Sequence, residues 1–332
     1  MTRRRLSQQQ LARIRQRQQQ ARARQDALLG PPRPGLVIAH YGQQLDIEPL
    51  DEEGAEPVRC YQRTHLGEVV VGDRVVWRAG SDQGVIESVE ARSSLLVRPG
   101  YGGQLRPVAA NIDRIVLVIA PEPEPHANLI DRYLVAAEHH GIQALLLLNK
   151  SDLLSLLPDR GAALQELLEG YAGMGYLTLS TSCTTDQGLA ALKQTLAGHT
   201  AVLVGQSGVG KSSLANALIP GLAASVGELS TGAAKGRHTT TTSRLHHAPW
   251  GADLIDSPGI REFGLGHLQP GQVAAGFRDF QPWLGHCSFR DCSHGTEPGC
   301  ALRAAVEEGR LRAARLDSYH AIVAELAGLE RG

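Results

Sequence analysis

Gly205-Gln206-Ser207-Gly208-Val209-Gly210-Lys211-Ser212 is the stretch that decides the fold of this chain. The octapeptide matches G-x-x-x-x-G-K-[ST]. It stands between Ala201–Val204, an apolar run that reads as a buried strand, and Lys211–Leu218, which reads as a helix. Small residues let successive backbone N–H groups curl around a phosphate chain, and the helix N-terminus adds the positive end of its dipole. Gly205 through Ser213 are therefore the expected phosphate cradle. Lys211 is expected at the β- and γ-phosphates, and the Ser212 hydroxyl on Mg²⁺.

Outward from this loop, residues 111–268 alternate between strand-like and helix-like segments. Arg114–Ile119, Ala144–Leu148, Tyr176–Leu179 and Asp253–Ile255 read as buried strands; Ile130–His139, Ala162–Leu168 and Gly188–Leu196 read as helices. That alternation predicts βα units with a parallel sheet covered on both faces. Asn149-Lys150-Ser151-Asp152 follows one strand directly. A carboxylate at Asp152 can accept two hydrogen bonds from the N1–H and N2–H₂ edge of guanine, a donor pair adenine lacks. Asn149 and Lys150 would brace this loop against the base and the phosphate loop. The pair of motifs points to GTP rather than ATP. Asp256-Ser257-Pro258-Gly259 follows another strand, where Asp256 can hold Mg²⁺ through water and the Gly259 N–H can sense the γ-phosphate. In Gly236–Thr242 a Thr hydroxyl can complete the Mg²⁺ shell; Thr240 is the candidate among four consecutive Thr, and the choice stays open. Ser182-Cys183, after Tyr176–Leu179, can line the base. All these motifs fall at strand C-termini, the edge where open α/β sheets bind ligands.

Two departures carry mechanism. In ordinary GTPases the base-reading loop follows the phosphate loop, whereas here residues 149–152 precede residues 205–212, as they would in the same sheet with relocated termini. The residue after Gly259 is Ile260 rather than the Gln that orients the attacking water in many GTPases. Slow intrinsic hydrolysis is expected, with His238 the nearest substitute for positioning water.

Beyond the α/β region, Cys287, Cys292, His294 and Cys300 fall within fourteen residues and make a complete Cys₃His set. Four protein ligands leave no open position, so one structural Zn²⁺ is expected rather than a catalytic one. A mainly helical segment follows at Ala301–Glu308, Arg310–Leu316 and Tyr319–Leu329, and residues 269–332 read as one C-terminal domain. Upstream, residues 35–110 carry short β-branched runs at Gly35–Ala39, Val58–Arg63, Glu68–Val71, Asp73–Trp77, Gly84–Glu90 and Ser94–Arg98. Such spacing predicts a small barrel, OB-like or SH3-like. Residues 1–34 read as a disordered arm: the first 25 hold eight Arg and no acid, while the remaining residues carry 25 basic against 34 acidic side chains. A basic arm on an acidic body points to a polyanion partner. His246, His247, Cys60 and Cys183 show no partner pattern.

Composition narrows the class further. With 332 residues, 42% hydrophobic and 20% charged, more than one domain is expected, and 4% aromatic content disfavours surfaces built on stacked rings. No apolar run reaches the roughly 18 residues of a membrane helix, and five Cys make no disulfide framework, so a cytoplasmic location is expected.

Permuted motif order, barrel and Cys₃His cluster together resemble the ribosome small-subunit-dependent GTPase A (RsgA) family. The resemblance is carried by Ala109–Arg114, Asn149–Asp152, Gly205–Ser213, Gly236–Thr242, Asp256–Leu265 and Cys287–Cys300. It implies an N-terminal OB-like barrel, a central circularly permuted GTPase domain and a C-terminal zinc-binding domain. It also implies GTP/GDP and Mg²⁺ at Asn149–Asp152 and Gly205–Ser213, zinc on the four ligands above, and a late maturation role on the small ribosomal subunit. Hydrolysis is then stimulated by that subunit, with its rRNA as the binding partner, no membrane association, and a monomeric protein. The rival class is an RNA-binding scaffold with a fixed nucleotide. A metabolic P-loop kinase is disfavoured by Asn149–Asp152 and by the lack of an acceptor site.

Overall fold

The computed structural model describes residues 29–100, 104–222, 243–256, 265 and 268–329. Strands β1 (Pro32–His40), β2 (Gln44–Pro49), β3 (Val58–Gln62), β4 (Arg74–Arg78) and β5 (Gly84–Val89) run in the order β1-β2-β3-β5-β4, and β4 returns to pair with β1. This closes a five-stranded barrel with β3 and β5 parallel. Strand β2 shows why it forms: Leu45, Ile47 and Pro49 are buried while Gln44, Asp46 and Glu48 are not, a period of two that turns one face inward. Val37, Leu45, Ile47, Cys60, Val75, Trp77 and Ile86 fill the barrel.

The second layer system is the α/β domain. Strands β8 (Arg114–Ile119), β9 (Gln143–Leu148), β10 (Leu177–Ser180), β11 (Thr200–Val204), β12 (Ser243–Ala248) and β13 (Ala252–Asp256) lie in the order β10-β9-β8-β11-β13-β12. All neighbours are parallel except β12, which runs antiparallel to β13. The apolar runs of β8 and β9 divide residue by residue between two cores. Ile115, Leu117, Leu146 and Leu148 face one, and Val116, Val118, Leu145 and Leu147 face the other. Both faces are thus covered, which is what a continuous apolar strand requires. Helices α1 (Ala127–His139) and α2 (Pro158–Gly173) cover the first face, and α3 (Leu189–Leu196) and α4 (Lys211–Leu218) the second.

The C-terminal part packs on the outer side of α1. It comprises α5 (Pro270–Ala275), a 3₁₀ turn at Arg278–Phe280, α6 (Ala301–Glu307) and α7 (Ala313–Leu329). Phe277, Phe280, Leu302 and Tyr319 join the same core as α1.

Barrel and α/β sheet form one hydrogen-bonded sheet of eleven strands, joined where Ala39 and His40 of β1 pair with Arg244 and Ser243 of β12. His247 adds a side-chain bridge across this joint. Its Nδ1 lies 2.7 Å from Asp253 of β13 and its Nε2 lies 2.9 Å from Glu48 of β2. No local pattern reveals these partners, because Glu48 is 199 residues away in the chain.

Several expectations need correction. Glu68–Val71 is not a strand. Its backbone donors go to side chains, Val69 N–H to Gln62 (3.2 Å) and Val70 N–H to the buried Asp73 (2.8 Å), and only Val71 makes a lone bridge to Ala109. The strand expected at Ser94–Arg98 exists, but it forms a separate hairpin from β6 (Leu95–Pro99) and β7 (Leu105–Ala110). Pro32, Arg33 and Pro34, assigned to the arm, open β1; proline is tolerated there because a strand start needs no donor. The helices expected at Arg310–Leu316 and Tyr319–Leu329 are one, α7, since no breaker stands between Leu316 and Tyr319. No helix among the described residues is long and apolar enough to cross a membrane.

Candidate nucleotide site and metal cluster

The phosphate-loop motif occupies the turn between β11 and α4. Two glycines there have no substitute. Gly205 has φ +132°, and a Cβ on it would sit 2.2 Å from the Val118 carbonyl oxygen; Gly210 has φ +94°, and its Cβ would sit 2.5 Å from Asn149 Nδ2. Backbone therefore lies where side chains would otherwise fill the cradle. The loop borders a cleft of about 640 Å³ walled by Lys150, Gly205, Gln206, Ser207, Gly208, Gly210, Lys211, Ser212 and Ser213. Lys211 folds its ammonium back onto the loop, donating to the Gly205 carbonyl at 2.7 Å and the Gln206 carbonyl at 2.5 Å. Val209 points away from the cleft and is fully buried.

The base-side loop after β9 is wired into this loop. Asn149 is buried; its amide donates to the Val209 carbonyl at 2.9 Å, and its Oδ1 accepts from the Thr181 hydroxyl at 3.3 Å. Lys150 takes φ +57° and donates to the carbonyls of Gly208 (2.7 Å) and Glu122 (2.9 Å). Ser151 and Asp152 open a 3₁₀ turn, and the Ser151 N–H donates to the Thr181 carbonyl at 3.0 Å. One oxygen of Asp152 is buried with no hydrogen-bond partner in the described structure. An orphaned buried carboxylate oxygen is costly unless a donor arrives, which fits a ligand presenting N–H groups. After β10, Ser182 caps its own turn by accepting from the N–H groups of Thr184 and Thr185.

Asp256 ends β13, exposed at the same edge. His238, Thr240, Gly259 and Ile260 lie outside the described residues. Three participants escape sequence reading. Leu129 and Tyr133, one helical turn apart on α1, wall the cleft beside Gly205. Burial raises the Tyr133 pKa. Thr181 is the third; the signal was its place beside Ser182 after a strand. Leu129 and Tyr133 had none beyond helical spacing.

The four residues expected to ligate a metal lie together. One donor atom from each of Cys287, Cys292, His294 and Cys300 lies within 4.8 Å of the others. His294 aims Nδ1 at the cluster, 3.5 Å from Cys287 Sγ and 3.6 Å from Cys300 Sγ. Its backbone takes φ +62°, and its carbonyl accepts from His320 Nε2 of α7 at 2.7 Å. Burial lowers the His294 pKa, favouring the neutral ring a metal ligand must be. Burial pushes the Cys292 thiol up to about 12, a cost that a cation at the centre reverses. The donor set and convergence fit zinc.

A parallel core flanked by one antiparallel strand, a phosphate loop after β11 between β8 and β13, and an Asn-Lys-x-Asp loop wired to it define a circularly permuted P-loop GTPase domain. The family model described as RsgA GTPase matches residues 89–266. The small ribosomal subunit biogenesis GTPase RsgA of Pseudomonas putida is 56% identical over 301 residues, spanning 90% of this chain and 87% of that protein. The protein of the same name from Azotobacter vinelandii is 56% identical over 300 residues, with the same coverage. Among solved structures, YjeQ from Thermotoga maritima superimposes with a TM-score of 0.73 at 33% identity, covering 90% of this chain and 99% of that one. YloQ, a circularly permuted GTPase, gives 0.70 at 28% identity, covering 90% and 96%. The chain belongs to the RsgA GTPase family.

Proposed function

We propose that this GTPase serves maturation of the small ribosomal subunit, as the names of its relatives say of them. The observation that carries its nucleotide choice is the buried, unpartnered Asp152 oxygen on a loop that Asn149 ties to the phosphate loop. Asp152 accepts the N1–H and N2–H₂ of guanine. Gly205–Ser213 donate backbone N–H groups to the phosphates. Lys211, whose ammonium lies on the phosphate loop at the Gly205 and Gln206 carbonyls, binds the β- and γ-phosphate oxygens. Bound Mg²⁺ supplies charge neutralisation at those oxygens; Ser212 and Thr240 would hold it directly and Asp256 through water. Gly259 reports the γ-phosphate, and His238 orients the attacking water in place of the Gln that Ile260 lacks. The Cys₃His cluster holds one structural zinc.

The barrel, the basic arm and the zinc-binding domain engage ribosomal RNA, and hydrolysis releases the protein, which works as a monomer in the cytoplasm. Arg and Lys contacts to phosphate supply most of that affinity. The test is GTP turnover by purified protein with and without small subunits. The expected result is slow turnover alone and stimulation of the order of 10³-fold or more by the subunit, the scale of completion in trans. Equal rates in both conditions overturn the subunit-activated mechanism and favour a scaffold with a fixed nucleotide.

A further inference from the structure

Helix α1 belongs to two sites at once. Residues two apart on an α-helix point about 200° apart, and Asp131 and Tyr133 use this separation. Tyr133 faces the cleft and walls it beside Gly205, at the start of the phosphate loop. Asp131 is 1% exposed and faces the C-terminal domain. There Arg315 of α7, 4% exposed, donates Nη1 to Asp131 Oδ1 and grips Asp279 with two bonds of 2.9 Å. The Tyr171 hydroxyl of α2 donates to the same Asp131 oxygen at 2.5 Å. The guanidinium lies 4.6 Å from the Phe277 ring centroid and 5.4 Å from that of Tyr171. Burial works against the Arg315 charge, yet its carboxylate partners outweigh it and raise its pKa.

A buried ion pair of this kind adds little stability over an apolar replacement. What a two-pronged guanidinium does provide is fixed geometry. Here it fixes the axial and rotational setting of α1, and with it the Tyr133 side chain.

We propose that Arg315 is a positioning residue for the nucleotide site. By holding Asp131 it sets α1 so that Tyr133 and Leu129 wall the phosphate cleft, and guanine-nucleotide affinity thereby depends on docking of the Cys/His domain. The proposal rests on the GTP reading above. Coupling is reciprocal, so nucleotide binding in turn tightens the docking of α7.

The experiment is a double-mutant cycle in the full-length chain, read by binding of a fluorescent GDP analogue. Zinc content and melting temperature are recorded for each variant. Arg315→Met and Tyr133→Leu should each weaken binding about three- to tenfold, the scale of coupling carried through packed side chains. The double variant should bind no worse than the weaker single. Multiplicative losses overturn the proposal, because independent sites add. So does an Arg315→Met protein that melts lower but binds GDP as the parent does. If Arg315→Met does not fold, Asp131→Asn replaces it in the same cycle with the same two outcomes. A parent chain that binds no guanine nucleotide overturns the GTP reading itself, and the positioning role with it.

Discussion

One oxygen of Asp152 and the ring of His247 illustrate opposite states of a polar side chain: the first has no partner among the described residues, the second has two. On the reading proposed above, the partner that Asp152 lacks is the guanine edge. Asp152→Asn turns one acceptor into a donor facing two donors. Hydrogen bonds to a charged group are each worth about 1.5–3 kcal/mol, so GTP affinity should fall on the order of 10²-fold while xanthosine triphosphate gains. Competition binding of the two nucleotides checks this; unchanged GTP preference would remove the assigned role. His247 and its neighbour His246 give a second test. The hydrogen bond to Asp253 raises the His247 pKa from 6.5. Its stabilising effect is therefore fully present below about pH 6.5 and disappears as pH rises through the raised folded value. Burial lowers His246 to about 4. The unfolded chain then binds the extra proton between pH 6.5 and 4, so His246 costs stability as pH falls through that window. Thermal melts from pH 4 to 9 should show His247→Gln losing stability only in the acidic and neutral range. His246→Leu should resist acid better than the parent.

At the scale of elements, the Cys₃His loop is held from one side by α7. Tyr319 donates to the Ser293 carbonyl at 3.1 Å and His320 to that of His294 at 2.7 Å, so helix and loop support each other. Purified protein should carry about one zinc. Cys292→Ala should release it, and hydrogen exchange should then rise in residues 287–300 and in the first turns of α7, with β8 and β9 unaffected. Metal-free protein with full protection there would contradict a structural zinc. The elements legible in the sequence are those whose pattern is local. Arg114–Ile119 and Lys211–Leu218 were expected with the bounds they have, and the four metal ligands fall in one short segment. Strand β2 was not expected, because Asp46 and Glu48 disguise a clean alternation with residues of low strand propensity. Strand β12, Ser-Arg-Leu-His-His-Ala, was hidden for the same reason: its partners are β13 and the barrel, not its own composition. The Arg315–Asp131 pair spans 184 residues, and no spacing rule reaches that far.

For the whole molecule, charge asymmetry sets the expectation. The first 25 residues hold eight Arg and no acid, on a body with an acidic excess. Deleting residues 1–25 should weaken small-subunit stimulation and flatten its dependence on salt, since each lost phosphate contact lowers the slope. Basal hydrolysis should stay as it was. A GTPase assay with subunits across a salt series separates the two, and unaltered stimulation would show that the arm takes no part.

The joint between β1 and β12 also has a consequence in time. Ala39 and His40 pair with residues about 200 positions further along the chain. A ribosome adds about 5–20 residues per second, so β1 leaves the exit tunnel on the order of 10–40 s before its partner β12 is made. The five barrel strands all lie within the first 89 residues. The barrel can therefore close while the rest is still being synthesised, with the edge at Ala39–His40 left open. When β12 emerges it meets a finished template, and the outermost strand of the nucleotide-binding sheet docks onto the first strand of the barrel.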